Sequence, residues 1–358
     1  MPVIKPLNIS NDYLTDMEGG KVPSYDESHY KEGIRREIKN DEYVYYYNNN
    51  NKPVSDKDLE RIKKLNIPKT WNYVWINQDP NYRIQVIGID PHNKKQYIYT
   101  KEHKENKSNS KYKTLGVVIN LMDKIKNVLS KHQKLPTYDR KRVLSTMLII
   151  ILKTGIRAGK EFYAKKNKTY GICSLRKKHI EFNDNEKQII LKFKGKKNVE
   201  HKHEVFLNDE QYEEMKKLME IKDNDKLFNC KENKEVQKLN EFDLNDYIHE
   251  FIDPKVTIKD FRTYLVNVFF IQCLIKYTND VIDKTEKLSN SQIKKIIKES
   301  VKTTAEFIQH TPTICKSSYI YSLIIDFYIN DYTYFIKNKD FEPIKILIDI
   351  IKKSKVKL

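Results

Sequence analysis

The spacing of apolar residues changes near residue 113 of this 358-residue chain. Before that point, short runs of β-branched and aromatic side chains favour strands, and from residue 114 apolar residues recur with the period of an amphipathic helix. Between the two regions, the segment KEHKENKSNSKYK has many lysines and almost no apolar side chains. These patterns predict a β-rich domain over 1–104, a basic linker over 105–113 and a larger, mainly helical domain over 114–358.

The first region has the pattern of a small β-containing domain. A strand is predicted around residues 42–47, followed by an asparagine-rich loop. A short helix is expected to begin at Ser55, with Asp58 completing a weak capping box. After IPKTWNYVWI, the β-rich runs YRIQVIGID and KQYIYT are joined by turn-forming residues 90–93.

The second region is dominated by helices with recognisable ends. A helix is predicted over 137–154, stopped by Gly155, and Thr257 with Asp260 caps a long apolar helix. Three short strand candidates, HIEFN, QIILKF and HEVFL, lie between these helices, with a hairpin tip at GKK. The chain as a whole is therefore predicted to be α+β.

Neither an export signal nor a membrane span is apparent in the sequence. The longest apolar runs, MLIIIL and VFFIQCLI, are far shorter than the about 20 residues that a bilayer span requires. The start, MPVIKPLNISNDYL, lacks a charged leader followed by an apolar block. The four cysteines are widely spaced, without a CxxC pair. We expect an intracellular protein with reduced thiols and no membrane partner.

The charge balance indicates a polyanionic partner. The chain has 67 Lys and Arg against 49 Asp and Glu, a net charge of +18, which makes nucleic acid the leading candidate. The alternative is a solvated basic surface or a composition set by an AT-biased genome, and composition alone leaves both open. No metal site is expected, because His201 and His203 alternate on a predicted strand without a second pair nearby in sequence.

The stretch HTPTICKSSY places His310 nine residues before Tyr319, with Pro312 opening a new helix between them. A tyrosine is a poor nucleophile at neutral pH, because its phenol has a pKa near 10. It becomes useful where cations surround it and hold an anionic electrophile. The stretch alone proves little, since the chain has 24 tyrosines and a tyrosine on an amphipathic helix is usually an anchor with a solvated hydroxyl.

Side chains that can supply this positive charge occur at the ends of predicted elements. Arg157 follows a helix stop and Lys196 lies at the hairpin tip. Arg262 lies near the first turn of the long apolar helix, and His310 ends another helix. From such positions, long polar side chains can point into a cleft without disrupting a core. Phosphoryl transfer needs this arrangement, because its transition state spreads negative charge over non-bridging oxygens.

Four motifs, in order, resemble those of type IB DNA topoisomerases, in particular the compact poxvirus-like and bacterial-like branch. They are TGIRAGKEFYAKKNKTYGICSL, FKGKK, KDFRTYLVN and HTPTICKSSY. Upstream, IPKTWNYVWINQ and IGIDPHNKKQYIY resemble the amino-terminal domain of that branch. The resemblance covers residues 55–335 in patches. It implies the fold shared by tyrosine recombinases and type IB topoisomerases, a monomer that clamps double-stranded DNA, and no cofactor.

The resemblance also implies a catalytic set. Tyr319 would attack a DNA phosphodiester, leaving a 3′-phosphotyrosyl link and a free 5′-hydroxyl. Arg157 and Arg262 would bind the non-bridging oxygens, and His310 would donate a further hydrogen bond. Lys196 would protonate the departing 5′ oxygen, since an alkoxide is a poor leaving group. Strand rotation and religation would relax supercoils without ATP or a metal.

Further residues match supporting positions less specifically. Lys259 and Asn267 match positions around the second arginine, with Lys259 as an aid to proton transfer. The residues that match the family's DNA contacts are Lys160, Tyr163, Gln96, Tyr97 and Tyr99. The alternatives are one more solvated lysine for Lys160 and an ordinary strand with outward tyrosines for the last three.

The chain departs from the family pattern at some points. Lys197 stands where the family often has an acid after the hairpin GK, so Lys194 and Lys197 compete with Lys196 for the general-acid role. The added charge would lower the pKa of a neighbouring lysine. The first fifty residues and residues 276–300 are longer than in the compact branch, and neither stretch contains a motif.

Other functions remain open at this stage. A tyrosine recombinase or integrase shares the fold and the order of reactive residues, but it usually has a histidine where this chain has Lys259. A non-catalytic DNA-binding or packaging protein would need the basic groove but not Tyr319. A plain helical interaction module would not explain the ordered cations. The location expected is with DNA inside the cell, or in a virion or viral factory if the source is a large DNA virus.

Overall fold

The computed structural model describes residues 32–91, 93–282, 287–337 and 342–353, and for 104–113 it describes the backbone only. Parts of the predicted amino-terminal domain, the residue 90–93 turn and the 276–300 segment fall on residues 1–31, 92 and 283–286, outside the described residues. Contacts divide the chain into two units, Met1–Ser108 and Asn109–Leu358. The mainly helical larger unit and the β-rich smaller unit confirm the predicted α+β class.

The first unit is built on a five-stranded antiparallel sheet with strand order β2-β1-β3-β4-β5. Its strands are β1 Ile34–Lys39, β2 Glu42–Tyr47, β3 Asn72–Ile76, β4 Ile84–Ile89 and β5 Lys95–Tyr99. Helix α1, Asp56–Lys64, begins after Ser55, whose side chain accepts a hydrogen bond from the Asp58 amide as the capping pattern predicts. Strand β1 was not predicted, because four of its six residues are charged.

Both faces of this sheet bury apolar side chains. One face packs Ile34, Val74, Ile76 and Val86 against Ile62 of α1. The opposite face groups Trp75 with Ile84 and Ile87, and a register irregularity between Ile84 and Val86 allows β4 to serve both faces.

The segment predicted as a linker is helical. Helix α2, Lys101–Asn120, begins well before residue 114 and includes the boundary between the two units. Lysine and glutamate have good intrinsic helix propensity, so a segment without apolar residues can still continue a helix. The helix therefore begins before residue 114, where the apolar periodicity predicted the helical region to start.

The second unit is mainly helical. Its remaining helices are α3 Met122–Gln133, α4 Arg140–Thr154, α5 Glu161–Asn167, α6 Asp209–Glu220, α7 Glu241–Phe251, α8 Ile258–Ile282, α9 Asn290–Phe307, α10 Pro312–Ser318, α11 Ser322–Asn330, α12 Thr333–Lys337 and α13 Pro343–Lys353. A three-stranded antiparallel sheet has the order β6-β7-β8. Its strands are β6 Ile180–Asn183, β7 Gln188–Lys194 and β8 Glu200–Phe206, and a separate hairpin pairs β9 Asn229–Glu232 with β10 Glu235–Lys238.

Helices α4 and α8 form the centre of the second unit. Helix α4 buries most of its length, including the whole run from Val143 to Ile151. Helix α8 is long and apolar enough to cross a membrane by those criteria alone, but here it packs against α4, α9, α12 and α13. Each fully buried Leu or Ile contributes roughly 1.5–3 kcal/mol, so these helices provide a rigid base for the loops at their ends.

Candidate active site

Tyr319 lies directly after the short helix α10. Pro312 opens this helix, where its missing N–H removes no hydrogen bond and its fixed φ favours the helical start. Cys315 is fully buried and anchors the helix, and the Tyr319 amide donates to the Cys315 carbonyl oxygen at 3.0 Å. The phenol is therefore carried by the last turn of an anchored helix.

Asn267 brackets the backbone on both sides of Ile320. Its Nδ2 donates to the Tyr319 carbonyl oxygen at 2.9 Å, and its Oδ1 accepts from the Tyr321 amide at 2.7 Å. The side chain is fully buried on α8, where Nδ2 also donates to the Thr263 carbonyl oxygen at 2.7 Å. A buried amide with both ends satisfied by backbone groups holds the chain in one position.

Arg262 joins three segments of the site. It lies just after the first turn of α8 and is 3% exposed. Its guanidinium donates to the Gly155 carbonyl oxygen and, at 3.0 Å, to the Ile308 carbonyl oxygen. Its central carbon lies 5.1 Å from the centre of the Tyr319 ring. Because it holds carbonyls just before Arg157 and His310, Arg262 fixes the ends of α4 and α9 relative to the tyrosine.

Nε of Arg262 is buried and has no partner within the described part of the chain. Burial lowers the pKa of the Arg262 guanidinium to about 10, against a usual value of 12.5. The group is still charged at neutral pH. A charged donor that is already desolvated stabilises an anion more strongly than a solvated one.

Arg157 is positioned by the end of α4. Gly155 has a left-handed backbone with φ of 65°, and its amide donates to the Ile151 carbonyl oxygen, which ends the helix and turns the chain toward Arg157. The Ile172 amide donates to the Arg157 carbonyl oxygen at 2.8 Å and fixes the backbone there. Nη2 of Arg157 then donates to the Tyr319 hydroxyl at 3.2 Å.

His310 lies beside the tyrosine in a defined tautomer. The centres of the two rings are 6.0 Å apart. The Thr311 amide donates to Nδ1 of His310 at 2.9 Å, so the proton of the neutral imidazole is on Nε2. Burial, followed by the charges of nearby arginines and lysines, lowers the pKa of His310 to about 4. His310 is therefore a neutral Nε2–H donor at physiological pH.

The Tyr319 phenol is shifted in the direction that favours a nucleophile. Burial would raise its pKa, but the charges of Arg262 and Arg157 outweigh burial and lower the pKa of Tyr319 below its usual value of 10.0. The same guanidinium groups could also stabilise an anion bound beside the phenol.

Lys196 lies at the tip of the β7–β8 hairpin. The tip is closed by a hydrogen bond from the Gly195 amide to the Val199 carbonyl oxygen at 2.7 Å, and Lys196 is exposed on it. Lys196 and Lys197 are both among the charges that lower the pKa of His310. Lys194 instead forms an ion pair with Glu200 at 3.4 Å. The hairpin thus brings two candidate proton donors into the electrostatic range of His310.

Two protein-family models match this chain, and together they cover most of it. Residues 100–331 match the family model described as eukaryotic DNA topoisomerase I, catalytic core. The chain belongs to the type IB DNA topoisomerase family. Residues 43–90 match the model described as bacterial DNA topoisomerase IB, N-terminal domain, in agreement with the predicted branch.

Curated relatives agree with the family. DNA topoisomerase 1B of Acanthamoeba polyphaga mimivirus is 39% identical over 334 residues, which are 92% of this chain and 97% of that protein. DNA topoisomerase 1B of vaccinia virus strain Copenhagen is 29% identical over 86% of this chain and 95% of its own length. DNA topoisomerase 1 of Drosophila melanogaster is 28% identical over 54% of this chain and 19% of its own length. The chain is accordingly a topoisomerase, an isomerase, and the resemblance to this branch is confirmed.

The predicted supporting and DNA-contacting residues of this topoisomerase have different surroundings. Lys259 is exposed on α8, one turn before Arg262. Lys160 is the exposed N-cap residue of α5, and Tyr163 is 37% exposed on the same helix. Phe162 was not predicted, yet it is 57% exposed and contacts the Tyr163 ring edge-on at 5.4 Å. The two adjacent aromatic residues among the lysines of FYAKKNK are the sequence signal that could have identified this exposed pair.

Gln96, Tyr97 and Tyr99 lie on β5 of the first unit. Successive side chains on a strand point to opposite faces, so Gln96 is on the face opposite to Tyr97 and Tyr99. Nε2 of Gln96 donates to Asp90 at 2.8 Å, and the two tyrosine rings stack with their centres 6.2 Å apart. A duplex lying against one face of this strand would therefore meet the tyrosine pair or the glutamine, but not all three.

Proposed function

We propose that this topoisomerase relaxes supercoiled DNA by cutting one strand through a 3′-phosphotyrosyl intermediate, allowing the strand to rotate, and resealing it. One observation supports this most directly. The Tyr319 hydroxyl accepts a hydrogen bond from Arg157 at 3.2 Å while the buried Arg262 guanidinium lies 5.1 Å from the same ring. A structural tyrosine would not need one buried and one half-buried arginine around its phenol.

Cleavage exchanges one phosphate ester for another. The Tyr319 oxygen forms a bond to phosphorus, the phenolic proton passes to water, and the bond from phosphorus to the 5′ oxygen breaks. Lys196 supplies a proton to that 5′ oxygen and becomes a neutral amine. In resealing, the 5′-hydroxyl attacks phosphorus, its proton returns to Lys196, and Tyr319 leaves as a phenolate. The bond energy is retained in the phosphotyrosine, so the cycle needs no ATP.

The remaining residues stabilise charge in the transition state. Arg157 and Arg262 donate to the non-bridging oxygens, and His310 donates from the Nε2–H that its backbone contact selects. Each such donor contributes to catalysis because it is oriented before the reaction begins. The two arginines and Lys196 supply the positive charge, so the proposed mechanism assigns no role to a metal ion. Lys259 would assist proton transfer, and Asn267, which donates to the Tyr319 carbonyl oxygen, would hold the nucleophile in position.

The division of labour follows the two parts of the chain. We propose that residues 1–104 contact the duplex from one side, that 105–113 connect the parts, and that 114–358 contain the chemistry, in a monomer that clamps double-stranded DNA. Lys160 and Tyr163 would contact the duplex from the catalytic part, and Tyr97 with Tyr99, or Gln96, from the other. The protein would act with DNA inside the cell, and the viral relatives favour a DNA virus as the setting.

Plasmid relaxation in EDTA without nucleotide tests this function. The wild-type protein should relax both positive and negative supercoils, and Tyr319→Phe should relax neither while binding DNA within about threefold of wild type, because only the nucleophilic oxygen is lost. Relaxation by Tyr319→Phe would remove Tyr319 from the mechanism. Binding without relaxation by the wild-type protein would favour a non-catalytic DNA-binding function.

A further inference from the structure

Gln309 has an unfavourable backbone conformation directly before His310. Its φ of 51° is in the left-handed region, which glycine adopts freely and a glutamine adopts only against steric strain. The residues on either side are fixed, because Arg262 holds the Ile308 carbonyl oxygen at 3.0 Å and the His310 amide donates to the Ala305 carbonyl oxygen at 2.8 Å. A glutamine at this position therefore has a conformational cost that glycine would not have.

The Gln309 side chain reaches the general-acid hairpin. Its Nε2 donates to the Lys202 carbonyl oxygen at 2.9 Å, across 107 residues of sequence. Lys202 lies on β8, which is at the edge of the β6-β7-β8 sheet, so its outward carbonyl has no strand partner within that sheet. This hydrogen bond ties the half of β8 nearer the hairpin tip to the residue that precedes His310.

The hairpin transmits this anchoring to its tip. His201, the residue before Lys202, stacks on Phe193 across the strand pair, with ring centres 4.8 Å apart and an interplanar angle of 13°. Its ring packs so closely under the turn that a Cβ on Gly195 would lie 2.4 Å from His201 Nε2. Nδ1 of His201 is 3.1 Å from Nε2 of His203, which fixes the ring from the other side. Lys196 therefore extends from a turn that packs on the His201 imidazole, and contacts with Phe193 and His203 fix that imidazole.

We propose that Gln309 is a positioning residue that fixes the Lys196 hairpin relative to His310 and Tyr319. It rests on the proposed function, because it takes Lys196 as the general acid. Without the Gln309 hydrogen bond, the hairpin would keep its own fold but would no longer be aligned with the scissile phosphate. Misalignment of about 1 Å can slow a reaction about 100-fold. The slowing would be confined to the step that needs the lysine proton.

Gln309→Gly isolates this role from folding. Glycine adopts a φ of 51° without strain, so the variant should unfold at the same temperature as the wild-type protein or higher, although it loses the hydrogen bond to Lys202. Lys234→Gly is the matched control, because Lys234 also has a left-handed backbone, with φ of 69°, in the exposed β9–β10 turn. It makes the same change in backbone freedom far from the hairpin in sequence.

The readout is single-turnover DNA cleavage on two substrates by the full chain. One is ordinary DNA, and the other has a 5′-phosphorothiolate, whose sulfur leaves without a proton because a thiol has a pKa of about 8.5. We expect Gln309→Gly to cleave ordinary DNA roughly 10- to 100-fold more slowly than wild type and the phosphorothiolate within about threefold of wild type. Lys196→Ala should show the same pattern, and Lys234→Gly should match wild type on both.

Each outcome decides the proposal. Suppose that the phosphorothiolate restores cleavage by Lys196→Ala. If Gln309→Gly then cleaves both substrates at the wild-type rate, or is slowed equally on both, Gln309 does not position the acid, and the role of Lys196 is unaffected. If Lys196→Ala is slowed equally on both substrates, Lys196 is not the general acid, and the proposal for Gln309 falls with it. Rescue of both variants, together with an unchanged unfolding temperature, supports the positioning role.

Discussion

The two sides of the active site differ in how they are held. The side formed by Arg262 and Asn267 is buried, and its polar atoms other than Nε of Arg262 are bonded to backbone groups of three separate segments. The side formed by the β7–β8 hairpin is exposed at its tip, where Lys196 lies. In the proposed mechanism, the buried side would stabilise charge and stay fixed during the reaction, whereas the exposed side would deliver a proton.

The difference has a physical reason. An arginine keeps its charge even when burial lowers its pKa, so it can be desolvated in advance of the substrate. A lysine loses its proton readily when it is buried, so a lysine acid is better kept at a solvated tip and brought to the phosphate. We therefore expect substitutions on the buried side to lower both the cleavage rate and the stability of the fold. Substitutions in the hairpin should affect proton transfer alone.

Arg262→Ala should have the largest effect of the variants considered below. The loss of a prebuilt charged donor should slow cleavage by about 10³-fold or more. The Gly155 and Ile308 carbonyl oxygens also lose their donors, so the free energy of unfolding should fall by about 3 kcal/mol. Arg140→Ala, which removes a surface arginine paired with Asp243 at 2.6 Å, is the control and should cleave normally. Normal stability of Arg262→Ala would contradict its role in joining the three segments.

Lys196→Ala should slow cleavage of ordinary DNA by about 10²- to 10³-fold without changing the unfolding temperature, because the side chain is exposed and acts as an acid. Lys197→Ala is the informative comparison, since both lysines act on His310 electrostatically. We expect Lys197→Ala to stay within about threefold of wild type, measured by single-turnover cleavage. The reverse order of effects would transfer the acid role to Lys197.

Asn267→Ala should slow cleavage by about 10-fold and lower the free energy of unfolding by about 1–3 kcal/mol, because the Tyr319 carbonyl and Tyr321 amide lose a buried partner. Asn245→Ala removes another asparagine that accepts a hydrogen bond from a backbone amide. Its Oδ1 accepts from the Ile258 amide, with a distance of 3.2 Å between the two atoms, and this contact does not involve Tyr319. It should lose stability without a matching loss of cleavage. Equal cleavage by the two variants would mean that Asn267 serves only the fold.

The smallest expected effect is the dependence of the free energy of unfolding on pH. Burial lowers the pKa of His201 to about 3 and that of His203 to about 4, whereas an unfolded histidine titrates near 6.5. The unfolded state therefore binds more protons, so stability is complete above pH 6.5 and is lost as the pH falls toward 4, by up to about 1.4 kcal/mol per pH unit for each histidine. Unfolding by denaturant between pH 7 and 5 measures this slope. His203→Gln should reduce it, and His249→Gln, at an exposed position, should not.

Much of the fold could be predicted because it depends on local signals. The Ser55 cap, the Gly155 stop, the Thr257–Asp260 cap and Pro312 each mark a helix end within a few residues of sequence. The candidate catalytic residues also occur in recognisable motifs at such ends. Strand β1 could not be predicted, since its alternating pattern is hidden by Arg35, Arg36, Glu37 and Lys39.

The contacts that organise the site could not be predicted, because they join residues distant in sequence. Asn267 was expected only to support the site, and its bracket around Ile320 depends on how α8 packs against the chain after α10. Gln309 carried no signal at all, since a glutamine in a left-handed conformation is indistinguishable from any other glutamine in a sequence. Such residues are found only when the backbone conformation and the long-range hydrogen bonds are known.

The proposed covalent chemistry is best tested by identifying the residue and the DNA end that are joined in the trapped complex. The wild-type protein should be incubated in EDTA with a duplex from which the released 5′-hydroxyl strand dissociates, so that religation cannot occur. The peptide linked to the DNA should then be sequenced. The account predicts linkage at Tyr319, alone among the 24 tyrosines, to a 3′-phosphate, with a free 5′-hydroxyl on the released strand. Linkage to a 5′-phosphate, or to another residue, would contradict it.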